Sequence, residues 1–498
     1  MDIKILVYWN HMKRYIVVIF IFIGILFLRF WKVPELFNFT FSEEMQAVMA
    51  WEQIKNFHPI WIGVSAANIN YYLGPGFTYL NAILFYFSKG DPVILSYFSA
   101  LLGFVTVISL FYITNNLFSK NIAIFSSIIY GCSTLINLHD RRFWNPTPIP
   151  FITLWLIFSL IKAKQNTNWY IATAILIGLI FHTHLSLLFL LIPTSFSILQ
   201  NIKKIKLTTW ATMIFCYLVV TSPLIVFDFV HNFDNLLMPY RTLTGEKKAD
   251  LYAFSVTDTI SHAKELLSAL GRIWFIKMNT NPQDEVILES HMNKTSGNII
   301  FSLISLVALG WFFLKNRQKD FQIFFIALLT IISAFIFYPS YNPEYYLMSF
   351  ITLMTIVIGY WLNSLPKSLS LVLIGLFIFV NVLTTVTLSD KYGLTVRKQL
   401  VIQTMTAIKS QDFSLETEGV LPNKQFSYAG WRYLFKTYGR TPSQSNVDQV
   451  LSWIYPDEVS QKKIKFKVIV SDTIKLSFKE KPLATFHSGD YYSYVIDN

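Results

Sequence analysis

The chain reads His139-Asp140-Arg141-Arg142-Phe143-Trp144-Asn145-Pro146 between two strongly apolar runs, 121–137 and 148–163. Helices that cross a bilayer need roughly 17–25 predominantly apolar residues, which is about the length of these runs. The stretch between them therefore predicts a short polar loop at a membrane surface. The two adjacent arginines are its most prominent charged feature.

Similar apolar runs recur through the first three quarters of the chain and predict about eleven membrane-spanning helices. They lie near 15–31, 92–113, 121–137, 148–163, 169–183, 185–200, 208–228, 298–314, 321–338, 345–362 and 368–388. The composition agrees, since 53% of the 498 residues are hydrophobic and only 14% are charged. In soluble domains about a quarter of all residues are charged. Both cysteines, Cys132 and Cys216, fall inside apolar runs, so no disulfide is predicted.

Basic residues in the short loops predict the orientation, because cytoplasmic loops of membrane proteins are enriched in lysine and arginine. With the N-terminus in the cytoplasm, the inner loops carry Lys120, Lys162, Lys164, Lys203, Lys204, Lys206, Lys315, Arg317, Lys319 and Lys367. The short outer loops carry almost none except Arg141 and Arg142. Orientation signals of this kind account for the net charge of +12 without a nucleic-acid partner.

This orientation places loops 32–91, 138–147 and 229–297 on the outer face of the cell membrane, together with the polar tail 389–498. The chain is therefore predicted to consist of a multi-pass transmembrane module, residues 1–388, and a small soluble α/β domain outside the cell.

Two short-range patterns support a folded tail. Residues 395–409 are helix-like, while 467–471 and 491–496 are strand-like. The polar residues thus lie outside the spans, which hold almost no ionisable groups. A lipid or sugar transporter more often places charge at mid-membrane within broken helices, so transport is the less favoured alternative.

The first outer loop opens with Phe41-Ser42-Glu43-Glu44, followed by apolar residues at helical spacing. The simplest interpretation is an amphipathic surface helix, with Ser42 as its N-cap and two glutamates near the positive end of the helix dipole. The alternative is a carboxylate that is held at the membrane surface as a general base.

The arginine pair also has two interpretations. A guanidinium offers a planar fork that suits phosphate, so Arg141 and Arg142 could bind an anionic group. The residues alone equally allow a contact with lipid headgroups or an ion pair with Asp140.

Four further segments combine polar and aromatic residues near the ends of predicted spans. They are Tyr71-Tyr72-Leu73-Gly74-Pro75-Gly76, His182-Thr183-His184, Phe227-Asp228-Phe229-Val230-His231 and Asn342-Pro343-Glu344-Tyr345-Tyr346. The histidine pair lacks the third and fourth ligands that a metal site needs, so no metal site is predicted. No P-loop, dinucleotide-binding glycine motif or zinc-protease motif occurs in the sequence.

Taken in order, these segments resemble the GT-C glycosyltransferases of the family 39 type, the relatives of protein O-mannosyltransferases and aminoarabinose transferases. The resemblance covers about residues 30–235 well. An acidic first-loop motif and the motifs Y-L-G-P, S-R-x-x-W-N-P, Q-L-H and F-[DE]-L-R-H-x-F stand here as Phe41–Gln46, Tyr72–Pro75, Asp140–Pro146, His182–His184 and Phe227–Phe233. The resemblance implies an all-α polytopic GT-C-like membrane module with a small α/β domain.

The sequence departs from the family pattern at several positions. Acidic positions are occupied by Ser42 and Gln46, an arginine position by Val230 and a glutamine position by His182. Glu43 matches an acidic position and Glu44 is an extra neighbour; Arg141 matches the family arginine and Arg142 is extra. Because of these departures an alternative stays open: the protein could be a degenerate member of the family that binds glycan or lipid without catalysis.

The resemblance implies that a sugar is transferred from a polyprenyl-phosphate donor, amid membrane lipids, to a protein, lipid or glycan acceptor on the outer face. Glu43, or next Glu44, would be the general base. The donor phosphate would be bound by Arg141, Arg142, Tyr345 and Tyr346. The cavity would be lined by Tyr72, Trp144, Asn145, His184, Asp228 and His231. No cofactor is firmly implied, because the donor carries its own activated bond, although a divalent cation is compatible with the resemblance.

Overall fold

The structure is a computed structural model. It describes residues 3–37, 39, 41–66, 71–244, 255–278, 295–316, 321–338, 344–418, 430–453, 455–460, 464–472, 476, 478 and 481–497. Of the predicted features, Arg317, Lys319, Asn342, Pro343 and parts of loop 229–297 lie outside these residues.

Helices dominate the part of the chain that precedes the tail. In chain order they are α1 Ile3–Phe30, α2 Phe41–Asn56, α3 Gly76–Ser88, α4 Val93–Leu117, α5 Lys120–Cys132, α6 Thr134–Asp140, α7 Ile149–Ala163, α8 Trp169–Thr183, α9 Leu191–Asn201, α10 Leu207–Val230, α11 Asp234–Leu243, α12 Val256–Arg272, α13 Ile299–Lys315, α14 Gln322–Ile336, α15 Met348–Ser364 and α16 Lys367–Thr387. Short 3₁₀ turns, Leu185–Leu190 and Glu344–Leu347, lead into α9 and α15.

The predicted spans all reappear in the described residues. Five helical segments are long and apolar enough to cross a bilayer, one further candidate is the bent pair α5–α6, and five shorter apolar helices complete the set. The chain is therefore a multi-pass membrane protein. Two short antiparallel hairpins occur outside the spans: β1 Ser65–Ala66 with β2 Tyr71–Tyr72, and β3 Ile276–Met278 with β4 Thr295–Gly297.

The span predicted over 121–137 is not one straight helix, because α5 and α6 meet at 66°. Ser133 lies at the break, and its hydroxyl donates to the carbonyl of Ile273 at 2.9 Å. The side-chain oxygen of Asn381, on α16, accepts from the backbone N–H of Thr134 at 2.9 Å. Backbone groups freed at membrane depth need such protein partners, since lipid offers none. The break redirects the chain into residues 141–148, here named the arginine loop.

Helix α15 forms the centre of the bundle. Its residues 348–359 are all buried, and it packs along α5 and α7. Gly359 allows the close approach to α5, because a Cβ at this position would overlap the hydroxyl of Ser126. A helix that is apolar on every side is expected at such a position, whereas the helices around it expose one face to lipid.

The tail folds as a mixed α/β domain. Its elements are α17 Leu394–Ile408, β5 Phe413–Glu418, α18 Trp431–Tyr438, β6 Gln444–Ser445, α19 Asp448–Leu451, β7 Phe466–Ser471, β8 Ala484–Ser488 and β9 Tyr491–Asp497. The sheet order is β6-β5-β7-β9-β8, with β5 parallel to β6 and β7, and β9 antiparallel to β7 and β8. The helix and the two strands predicted from sequence appear within a residue or two of their expected bounds.

The α/β domain is joined to loop 32–91 through a shared hydrophobic core. Buried side chains of the loop, among them Phe37, Ala47 and Phe85, pack in one cluster with those of the domain, among them Leu434. The Nη1 atom of Arg397 donates to the carbonyl of Phe39 at 2.6 Å. The α/β domain therefore packs against helix α2 and fixes its position.

Helix α2 begins at Phe41, so Ser42 lies in its first turn and is not the predicted N-cap. The expected pair of glutamates in that first turn is present, Glu43 and Glu44. Their position at one end of a helix that is clamped by the α/β domain fixes where each carboxylate points.

Candidate active site

Glu43 and Arg142 meet where helix α2 faces the arginine loop. The Nε atom of Arg142 lies 3.8 Å from Oε1 of Glu43, and the two side chains are only 10% and 3% exposed. The guanidinium carbon of Arg142 also lies 3.7 Å from the ring centroid of Trp144. Charges in such sheltered surroundings interact more strongly than charges in water. The structure thus brings one predicted negative charge, Glu43, and one predicted positive charge, Arg142, together at a single place.

Aromatic rings continue the site beyond Trp144. The ring of Tyr345 lies 4.4 Å from that of Trp144 and 5.2 Å from that of His184, and the ring of Tyr346 lies 5.0 Å from that of His184. We name Trp144, His184, Tyr345 and Tyr346 the aromatic wall. Three segments that are far apart in sequence form it, and all three were singled out from the sequence.

His184 is a neutral member of this wall. Burial lowers its pKa to about 4. Its Nδ1 atom accepts from the backbone N–H of Ser186 at 3.1 Å, which caps the following 3₁₀ turn. His184 therefore contributes shape and a polar ring to the wall, not positive charge.

The arginine loop is held rigidly beneath the site. The side-chain amide of Asn145 donates to the carbonyl of Thr183 at 2.8 Å, which ties the loop to α8. The carbonyl of Arg142 accepts from the hydroxyls of Ser99 and Thr147, both at 2.7 Å. These bonds leave the backbone at Arg142 little freedom. Asn145, predicted as a cavity-lining residue, acts here as a tether between the loop and α8.

Arg141 takes a different direction from its neighbour. Its Nη2 atom donates to the carbonyls of Leu28 and Trp31, at 2.9 and 3.0 Å, and the residue is 1% exposed. These carbonyls belong to the C-terminal end of α1, where a positive charge is favoured. Phosphate binding by Arg141 stays a prediction, but the structure points its guanidinium at α1, and Arg142, the extra arginine, is the one that faces Glu43.

Glu44 is likewise turned away from the arginine loop. Its two oxygens accept from the backbone N–H groups of Gly430 and Tyr433, at 3.1 and 2.9 Å, at the N-terminus of α18. Burial raises the pKa of Glu44 to about 7, although these two hydrogen bonds oppose the rise. Glu44 thus joins α2 to the α/β domain, and Glu43 is the carboxylate left to face the site.

Three predicted lining residues lie apart from the aromatic wall. The Oδ1 atom of Asp228 accepts from the backbone N–H groups of Asn235 and Leu236, which caps the start of α11. Tyr72 exchanges backbone hydrogen bonds with the side chain of Asn235. His231 is exposed and stacks on Phe227 of its own helix at 4.0 Å. All three residues shape the outer loops, and none of their described contacts reaches Glu43 or Arg142.

His182 has a positioning role that the sequence did not reveal. Its Nδ1 atom accepts from the backbone N–H of Gly76 at 3.1 Å, and its Nε2–H donates to the carbonyl of Val220 at 2.8 Å. A Cβ at Gly74 would collide with this ring. The signal was present in the Gly74-Pro75-Gly76 turn, because closely spaced glycines often mark a place where another group approaches the backbone.

Among the described residues, no group of three or more histidine, cysteine, aspartate or glutamate side chains could hold a metal ion. The compatibility with a divalent cation that the resemblance suggests therefore remains a prediction. The charged groups that the site itself supplies are Glu43 and Arg142.

Comparisons with known proteins agree with the fold. Residues 73–227 match the family model described as dolichyl-phosphate-mannose-protein mannosyltransferase. The solved structure of ArnT from Cupriavidus metallidurans bound to undecaprenyl phosphate matches with a TM-score of 0.61 and 11% identity, over 97% of this chain and 98% of that chain. Its apo state matches with a TM-score of 0.59 and 10% identity over the same shares.

A zinc and sulfate complex of the oligosaccharyltransferase from Archaeoglobus fulgidus matches with a TM-score of 0.46 and 12% identity, over 90% of this chain and 67% of that chain. A search of the curated proteins found no match. The predicted GT-C fold, with its helical membrane module and small C-terminal α/β domain, is confirmed by the likeness to ArnT along nearly the whole chain.

Proposed function

We propose that this protein is a membrane glycosyltransferase that moves a sugar from a polyprenyl-phosphate donor to an acceptor on the outer face of the membrane. The contact between Glu43 and Arg142 beside the aromatic wall carries the proposal, because it pairs a base with a phosphate-binding group. The family-model match over residues 73–227 and the GT-C fold support it. The site is compatible with a protein, lipid or glycan acceptor.

In the proposed reaction a hydroxyl or amine of the acceptor attacks the anomeric carbon of the donor sugar. A new bond forms between the acceptor atom and this carbon, while the bond from the carbon to the phosphate oxygen breaks. The bonding electron pair leaves with the lipid phosphate, and the acceptor proton passes to the carboxylate of Glu43. No nucleotide is needed, since the donor already carries its activated bond.

Arg142 acts on the phosphate side of this reaction. Its guanidinium can bind two phosphate oxygens at once, and it stabilises the charge that grows on the leaving group. The aromatic wall provides flat surfaces for the sugar ring and the hydroxyls of Tyr345 and Tyr346 for its polar groups. In the absence of donor, the Nε atom of Arg142 lies 3.8 Å from Oε1 of Glu43, so the phosphate-binding group and the base are already side by side.

The two alternatives receive less support. A transporter would place its ionisable groups at mid-membrane within broken helices, whereas Glu43 lies in the first turn of α2 and Arg142 in the arginine loop, both outside the candidate spans. A degenerate, non-catalytic member was suggested by Ser42 and Gln46. The oxygen of Gln46 accepts from the hydroxyl of Thr78 at 2.7 Å and so joins α2 to α3, while Glu43 keeps an acidic group at the site.

Turnover of defined donors tests the proposal. Purified protein in lipid nanodiscs is offered a panel of synthetic polyprenyl-phosphate hexoses and pentoses with a membrane extract as acceptor, and the release of polyprenyl phosphate is measured. Glu43→Gln should lower turnover by about 10²–10⁴. Glu52→Gln is the matched control, because Glu52 lies on the same helix and accepts from Asn56, one helical turn away. Absence of release by the wild type across the panel, or equal turnover in the Glu43 variant, would contradict the proposal.

The outer-face location rests on the basic residues of the loops and is tested separately. In a background with Cys132 and Cys216 replaced by serine, single cysteines are placed at the exposed positions Asp412, in the tail, and Lys206, in a predicted inner loop. Asp412→Cys should react with an impermeant thiol reagent on intact cells, and Lys206→Cys should react only after lysis. The reverse pattern would invert the orientation.

A further inference from the structure

Among the described residues, a second charge cluster lies beneath the site, where the end of α1 meets α6. We propose that Arg29 and Asp140 are positioning residues, a buried ion pair that locks the arginine loop to α1 so that Arg142 reaches Glu43. The inference deepens the proposed function and relies on it for one of its two measurements.

The pair is close and almost fully enclosed. The Nη2 atom of Arg29 lies 3.1 Å from Oδ2 of Asp140, with the side chains 0% and 3% exposed. The same Nη2 atom donates to the carbonyl of Tyr130 at 3.1 Å. On the other side, Oδ1 of Asp140 lies 3.3 Å from Nδ1 of His139 and 3.5 Å from the hydroxyl of Tyr130. Helix α1 is thus fastened to both halves of the broken span.

Contacts between α1 and the segment formed by α6 and the arginine loop are made from both sides. Arg29 extends from α1 to Asp140, the last residue of α6, while Arg141 returns from the arginine loop to the carbonyls of Leu28 and Trp31. Helix α4 closes the pair from the side, because a Cβ at Gly103 would lie 2.7 Å from Oδ2 of Asp140. We name Arg29, Asp140 and Arg141 the arginine latch.

Stability alone does not account for the latch. A buried ion pair seldom stabilises a fold more than well-packed apolar side chains of similar volume, because the charges lose their hydration. Within the described part of the chain, the Nε and Nη1 atoms of both Arg29 and Arg141 are buried without a hydrogen-bond partner, and burying a polar atom in this way destabilises a fold. An arrangement that costs this much points to a task other than holding the helices together.

The position of the latch, directly before Arg142 in the chain, indicates what this task is. Arg142 follows Arg141 directly, so any shift of the latch reaches the catalytic side of the loop through one peptide unit. Ser99 and Thr147 hold the carbonyl of Arg142, on the C-terminal side of this residue, whereas the latch holds Asp140 and Arg141, on its N-terminal side. Reactions of this kind lose about 100-fold in rate when a reacting group is displaced by about 1 Å.

Removing the whole pair separates positioning from stability. Arg29→Met or Asp140→Leu alone should lower both the thermal midpoint and turnover, because each leaves a buried charge without its counter-charge. The double variant should regain the thermal midpoint, while kcat stays at least tenfold below the wild type and the KM for donor stays within about threefold. Recovery of kcat together with the midpoint would reduce the pair to a structural role and overturn the proposal.

A conservative variant covers the case in which the double variant does not fold. Asp140→Glu keeps the charge and lengthens the side chain by one methylene. It should fold and lose about tenfold in kcat, whereas kcat equal to that of the wild type would contradict positioning.

A second measurement does not depend on the proposed reaction. With Cys132 and Cys216 replaced by serine, Glu43→Cys and Arg142→Cys are introduced together and bridged with a short bifunctional thiol reagent. Bridging should be efficient when the latch is intact and at least fivefold slower when Arg29→Met and Asp140→Leu are added. Equal bridging would overturn the inference. If the latch controls bridging while the wild type turns over no polyprenyl-phosphate sugar, the inference stands and the proposed function fails.

Discussion

Helix α2 and the arginine loop each present two like charges in succession, and in both segments the two neighbours have different roles. Glu43 faces the site, whereas Glu44 accepts two backbone N–H groups of the α/β domain. Arg142 faces Glu43, whereas Arg141 caps α1. One member of each pair is therefore available for chemistry because the other holds the scaffold that aims it.

The physical reason is the direction of consecutive side chains. Neighbours on a helix point about 100° apart, as Glu43 and Glu44 do, and Arg141 and Arg142 diverge where the chain leaves α6, so adjacent residues contact different elements. A motif comparison treats Arg141 as the functional residue because it aligns with the family arginine. Only the position of the α1 carbonyls, near Leu28 and Trp31, reveals that this guanidinium is already engaged.

Replacing each of the two glutamates in turn by glutamine should give the largest difference in turnover. Glu43→Gln is expected to lower turnover by about 10²–10⁴, because an amide cannot take the acceptor proton. Glu44→Gln should keep turnover within about tenfold, since its neighbour still faces the site. Initial rates of polyprenyl-phosphate release measure both. If Glu44→Gln is the variant that loses turnover, the division of labour in α2 is reversed.

Glu44 should also make stability depend on pH. Its pKa is raised from 4.5 to about 7 in the folded protein. The folded state therefore holds a proton that the unfolded state has released between these values. The contribution to stability is fully present below pH 4.5 and is lost as pH rises to about 7, by about 3 kcal/mol in all.

Thermal unfolding between pH 4.5 and 8 measures this effect. The midpoint should fall as pH rises, and Glu44→Gln should flatten that fall, because glutamine does not titrate. Glu52→Gln, on the same helix, should leave the slope unchanged. A slope that survives in Glu44→Gln would assign the pH dependence to another group.

The membrane architecture could be predicted from sequence because hydropathy is a local property. Within the described residues, apolar helices cover all eleven expected spans, although only five of them, or six with the bent pair, are long enough to cross a bilayer by the length criterion, and the tail helix and strands lie close to their expected bounds. The break at Ser133 could not be predicted, since it depends on Asn381, which lies 247 residues from Thr134 along the chain. An apolar run shows that a segment enters the membrane, but not whether a distant side chain will satisfy a bent backbone.

The residues of the candidate site could be singled out because residue type is visible in the sequence, but most of their contacts could not be predicted because the partners are distant in sequence. Glu43, Arg142, Trp144, His184, Tyr345 and Tyr346 were singled out from sequence, and the structure brings them together. The docking role of Glu44 depends on α18, 389 residues away at Tyr433. The cap formed by Asp228 depends on how the chain turns into α11. Acidic and basic residues identify a functional region, whereas their roles follow from contacts that no local pattern contains.

Lysine substitution at the two arginines should separate their roles through different kinetic constants. Arg142→Lys should raise the KM for donor about tenfold or more, because a charge-assisted hydrogen bond contributes about 1.5–3 kcal/mol and lysine cannot copy the fork. Arg141→Lys should leave this KM unchanged, lower the thermal midpoint and reduce kcat through the arginine latch. An increase in donor KM for Arg141→Lys alone would restore Arg141 as the phosphate ligand.

The smallest expected effect concerns the ring beneath Arg142. Trp144 lies 3.7 Å from the guanidinium carbon, a cation–π distance, and its ring also touches Tyr345. Such a contact contributes about 0.5–2 kcal/mol, and tryptophan provides the strongest face. Trp144→Phe should therefore raise donor KM by roughly two- to tenfold with little change in the thermal midpoint. Trp155→Phe, whose ring nitrogen donates to Ser109 within the bundle, is the matched control and should leave KM unchanged. A KM for Trp144→Phe equal to that of the wild type would mean that the face of Trp144 adds nothing to donor binding by Arg142.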